Sequence, residues 1–99
     1  MQLSVKKEED KTVAVIEGRL DTVTSAELKN QLEEDWNGAD DLELDFTAVE
    51  YISSAGLRLL VLLQRQASAG GHTMVVRNIN RVVQEIFKVA GFNKALTII

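Results

Sequence analysis

The segment Asp45-Phe46-Thr47-Ala48-Val49-Glu50-Tyr51-Ile52-Ser53-Ser54-Ala55-Gly56-Leu57-Arg58 constrains the fold more than any other part of the chain. An alternating apolar strand runs out into paired serines, and these open a strongly apolar helix. Backbone N–H groups in the first turn of a helix have no intrahelical partner, and the aligned peptide dipoles leave partial positive charge there. A phosphate added to Ser54 is therefore accommodated locally, and its expected effect is a changed surface rather than a lost fold.

The rest of the chain frames that junction. Leu3 and Val5 alternate with polar residues, Glu8 to Lys11 make a polar turn, and Val13, Ala14, Val15 and Ile16 follow as a strand apolar on both faces. This predicts an initial β-hairpin feeding a central strand. Gly18-Arg19-Leu20-Asp21 interrupts the pattern. Thr24-Ser25-Ala26-Glu27 has capping-box spacing, with Val23 and Leu28 as a hydrophobic staple, so a first helix is expected from about Ser25 to Trp36. Leu28, Leu32 and Trp36 form its inner stripe.

A strand carrying Leu42, Leu44 and Phe46 comes next, and the helix between two strands implies a parallel crossover. The second helix runs from near Ser54 to about Ala69, with Leu59, Leu60, Leu63 and Ala67 on its core arc, and Gly70-Gly71 stops it before a strand over Thr73 to Arg77. Asn80 caps a third helix with Val82, Val83, Ile86, Phe87 and Ala90 on one face and Gly91 as terminator, and Leu96 to Ile99 add a short last strand. The fold class is α/β: a mixed open sheet of four to five strands with three main helices, in one domain over residues 1–99.

Composition narrows the function. The chain has no cysteine, which removes disulfides and thiolate chemistry, and its longest apolar run, Leu59 to Leu63, is far short of the roughly 20 residues of a membrane span. The N-terminus shows no secretion signal, so the default expectation is a cytoplasmic protein without a membrane partner. Residues 1–50 hold 14 acids against five Lys or Arg, whereas residues 51–99 hold one acid against six cations. Those six, at 58, 65, 77, 81, 88 and 94, are dispersed and without an interleaved aromatic platform, which argues against nucleic acid and for a protein partner of complementary charge. No nucleophile with a base, paired acid and base, metal cluster or phosphate-cradling loop is present, so neither enzymatic activity nor a cofactor or metal is expected.

In order and spacing the chain resembles the anti-sigma factor antagonists built on the STAS domain. The matching pieces are Gly18 to Asp21, Asp45 to Val49 leading into Tyr51 to Leu57, the Gly70-Gly71 turn, and Asn78-Ile79 followed by a helix ending Val89-Ala90-Gly91-Phe92. The resemblance implies a small domain that binds an anti-sigma factor, often an ATP-dependent serine kinase, and so frees a sigma factor. It also implies inactivation when that kinase phosphorylates the serine two residues before the motif glycine, here Ser54, and it allows for a phosphatase that reverses the mark. The family's acidic residue before the first helix matches Asp21, whereas the aspartate that many members carry before the acceptor is Ser53 here. The expected partner-binding residues are Asp21, Ser53, Ser54, Ala55, Gly56, Leu57, Arg58, Val61 and Leu62. A STAS subunit of a lipid-transport or larger signalling complex, without phospho-regulation, is the alternative.

Each of these residues has a plainer reading. Ser54 also suits an N-cap, Asp21 a turn, and Arg58 a solvated surface position rather than a phosphate partner. Gly56 costs about 1 kcal/mol relative to alanine in a helix, so something must approach it closely: a partner's backbone, or the loop at Gly18. Val61 and Leu62 lie off the core arc, as exposed contacts or as packing under the third helix. Asp45 and Thr47 suit outward strand positions or a satisfied loop contact, and His72 a loop tip.

Overall fold

The computed structural model describes residues 2–92 and 95–99; Lys94, one of the dispersed cations, lies outside them. The predicted hairpin is present, with β1 (Gln2–Glu8) antiparallel to β2 (Lys11–Leu20). There follow α1 (Thr22–Asp35), β3 (Asp41–Ile52), α2 (Ser54–Ala69), β4 (Met74–Arg77), α3 (Arg81–Ala90) and β5 (Thr97–Ile98). The strands lie in sequence order, and every pair after the hairpin is parallel. Each crossover steps to the next strand in the same direction, and right-handed crossovers of that kind put all three helices on one face of the sheet.

Alternation within β3 shows the two faces. Leu42, Leu44 and Phe46 are buried under the helices, whereas Glu43 and Asp45 are half-buried on the other side. There Lys11 and Arg77 both reach Glu43 Oε1, at 3.1 and 3.3 Å. Leu28 and Leu32 of α1, with Trp36 at its C-cap, share the core with Leu59, Leu60, Leu63 and Ala67 of α2, as the periodicity predicts. The Phe46 and Phe87 rings, with centroids 6.4 Å apart, join β3 to α3.

Several expected boundaries shift for physical reasons. The first helix begins three residues early, because Asp21 and not Thr24 is its N-cap; Thr24 is the N3 partner in that capping box. Val23 is accordingly 67% exposed and makes no staple. Gly18-Arg19 does not end β2. The strand continues to Leu20 because β3 carries extra residues at two register shifts, opposite Val15/Glu17 and Gly18/Arg19, and Gly18 adopts φ +98°. Those bulges also keep β3 extended from Thr47 to Ile52, so the strand runs out into the paired serines as expected. On α3, only Val83 and Phe87 are buried, while Val82 and Ala90 face outward.

Candidate functional site

Two helix N-termini meet around one carbonyl. Ser53 N–H donates to Leu20 O at 2.8 Å, which ties the start of α2 to the residue preceding the α1 cap. Asp21 Oδ1 accepts from Val23 N and Thr24 N, both at 3.0 Å, and Asp21 N–H donates to Thr24 Oγ1 at 2.8 Å. The Thr24 backbone bond, then its hydroxyl, hold the Asp21 carboxyl below its ordinary value of 3.8, with lesser help from Val23 N–H and the charge of Arg19. The structure thus brings Asp21 and the serine pair together, although the Asp21 side chain is already committed to its own helix.

The serines divide their work. Ser53 is the N-cap, extended at φ −91° and ψ 176°, and its Oγ accepts from Gly56 N at 3.3 Å. Ser54 is the first helical residue and is exposed. The N-cap reading considered for Ser54 therefore belongs to Ser53. Ser54 sits at the rim of a hollow of about 330 Å³ floored by Ile52 and Leu57 and walled by Ile86 and Val89 of α3. Sequence reasoning missed that wall; the signal was Val89, an apolar residue on a short helix that lies 80% exposed.

Gly56 is explained from inside the protein. A Cβ there would lie 2.6 Å from Ile52 Cγ1 and 3.1 Å from Leu20 O, so the close neighbours are the end of β3 and the Gly18-to-Asp21 segment, the internal packing that was one of the two expectations. Gly56 and Leu57 are both buried, beneath the surface that the other expected partner-binding residues present. Ala55 and Val61 are half-buried, and Arg58 and Leu62 are exposed beyond them on the outer side of α2.

The plainer readings hold for the remaining candidates. Asp45 accepts from Thr47 N at 2.9 Å and Thr47 Oγ1 at 2.6 Å, a satisfied local contact whose hydroxyl and amide bonds lower its pKa. His72 Nδ1 is 3.6 Å from Asp41 Oδ1 at the opposite end of α2 from the serines. Among the described residues no group of three or more His, Cys, Asp or Glu is placed to hold a metal ion, and no helix is long and apolar enough to cross a membrane.

This arrangement, with helices on one face of a mixed sheet, is found in known proteins. The family model described as "Mlab, STAS domain" matches residues 3–99, and the chain belongs to the STAS domain family. BtrV of Bordetella bronchiseptica, provisionally assigned as an anti-sigma factor antagonist, is 28% identical over 93 residues, covering 93% of this chain and 80% of BtrV. A crystal structure of a provisionally assigned antagonist from Thermotoga maritima superposes with a TM-score of 0.89 at 17% identity, over 97% of this chain and 84% of that one. The anti-sigma factor antagonist SpoIIAA in its unphosphorylated form gives 0.83 at 16% identity, over 99% and 88%. The phosphorylated form of this Bacillus cell fate determinant gives 0.75 at 15% identity, over 99% and 91%. At these identities the solved structures establish the shared fold.

Proposed function

We propose that this chain is an anti-sigma factor antagonist, which binds a kinase-type anti-sigma factor through the start of α2 and is released when Ser54 is phosphorylated. The observation that carries this reading is the division between the serines. Ser53 caps the helix, so the Ser54 hydroxyl stands exposed at the positive end of α2, where a dianion is tolerated without unfolding. Arg58 lies one turn further on and is the side chain positioned to pair with that phosphate. The antagonist relatives support the partner class, and a phosphorylated form exists for one protein of the same fold.

Incubation with a kinase-type anti-sigma factor and ATP, followed by phosphopeptide mapping, tests the assignment: the mark is expected on Ser54. Ser54→Ala should bind the partner constitutively, and Ser54→Asp should bind more weakly with its fold intact. Equal calorimetric affinity for the two variants would count against the switch. Ser53, standing where many antagonists carry aspartate, favours a second reading, a STAS subunit of a lipid-transport or larger signalling complex without phospho-regulation. Partner binding with no modification by the kinase would select it.

A further inference from the structure

We infer that the outer face of α2 is a docking bed for an acidic amphipathic helix of the partner protein, with Arg58 and Arg65 receiving its carboxylates. This deepens the partner-binding reading above and rests on it. Arg58, Val61, Leu62 and Arg65 stand at i, i+3, i+4 and i+7 and form one stripe, with both arginines exposed and Leu62 40% exposed between them.

Three hollows open along this stripe. One of about 240 Å³ lies toward α1, between Lys29 and Arg58. A second, of about 460 Å³, is bounded by both arginines and Phe92. The third, of about 540 Å³, lies between Arg65 and Ala95. No Asp or Glu is among the described residues lining any of them, although the chain holds 15 acids and a net charge of −4. Lys29 is already paired with Glu33 at 2.8 Å, which leaves Arg58 and Arg65 beside the apolar trough, and that arrangement complements an apolar ridge flanked by carboxylates.

Spacing fixes the occupant. Seven helical residues separate the arginines along about 10.5 Å of axis, so a helix carrying two carboxylates seven residues apart, with leucine-like residues between them, meets both cations and fills the trough. An anionic membrane is the weaker match, since lipid recognition calls for roughly four to eight clustered cations and this face offers Lys29, Arg58 and Arg65. The geometry also gives the switch its sign. A phosphate on Ser54 adds about −1.5 to −2 charge one turn before Arg58, where it competes with the first carboxylate and repels an acidic partner.

The test uses the full chain, ¹⁵N-labelled, titrated with a synthetic helical peptide bearing Glu at two positions seven apart and Leu between them, and with its Lys-for-Glu counterpart. The Glu peptide should shift the amides of Arg58, Leu62, Arg65 and Phe92, and the Lys peptide should not. Arg65→Glu, whose amide spectrum verifies its fold, should weaken the Glu peptide about tenfold, as should added salt. Absent shifts, shifts elsewhere, or equal shifts with both peptides overturn the proposal. Shifts appearing only with phosphatidylglycerol vesicles replace it with a lipid surface, and the same shifts produced by raising protein concentration alone replace it with a second copy of the chain. No phosphorylated species is involved, so a negative result leaves the Ser54→Ala and Ser54→Asp comparison standing, and a failed switch leaves this measurement intact.

Discussion

Ser53 and Ser54 are identical side chains one residue apart, and backbone geometry alone gives them different roles. Ser53 is extended and its hydroxyl accepts from the first turn, whereas Ser54 is helical and exposed. Ser53→Ala should therefore cost about 1 kcal/mol in urea unfolding, as a lost N-cap does, while Ser54→Ala stays within about 0.5 kcal/mol. A larger loss for Ser54→Ala would assign the cap to it instead. Gly56→Ala sets overpacking of about 1–3 kcal/mol against the roughly 1 kcal/mol that alanine returns in helix propensity. Since the new methyl would meet Ile52 Cγ1 at 2.6 Å, packing wins, and a net loss of up to about 2 kcal/mol is expected by the same assay.

At the scale of elements, caps decided where helices begin, and the caps were unequally readable. Asn80 was legible because it is followed by an apolar helical pattern and a glycine stop, and its side chain accepts from Val83 N at 2.8 Å. The same side chain donates to Val49 O at 2.7 Å, a long-range bond that no local pattern announces. Asn80→Ala thus loses a cap and a bond between α3 and β3, about 1–2 kcal/mol in denaturant unfolding, and Asn80→Ser, which restores only the cap, should recover part of it. The start of α1 was misplaced because two overlapping capping signals, Asp21-to-Thr24 and Thr24-to-Glu27, compete, and the pairing of Leu20 with Ile52 selects the earlier one. The two bulges of β3 were hidden for a related reason. Alternation breaks at its bulges, and only pairing with β2 keeps the chain extended through them.

Across the whole molecule, two carboxylates couple stability to pH in the same direction. Hydrogen bonds hold Asp21 and Asp45 below their ordinary value of 3.8 in the folded chain. The unfolded chain therefore takes up their protons first, so the stability they contribute is complete well above 3.8 and is lost as pH falls from 3.8 through the lowered folded values. Urea midpoints measured between about pH 3 and 6 should fall on the acid side, and Asp45→Asn should flatten part of that slope. An unchanged slope would mean that the Thr47 contact does not shift Asp45.

The order of the elements, the core stripes of α1 and α2, the strand-to-serine-to-helix junction and the kinship with STAS proteins were all determined by the sequence itself, because local periodicity and turn residues encode them. Tertiary structure alone decided which serine caps the helix, what lies against Gly56, and how Lys29, Arg58, Arg65 and Phe92 come to border neighbouring hollows along α2. Those outcomes depend on contacts between segments far apart in the chain, and such contacts exist only once the sheet has set its register.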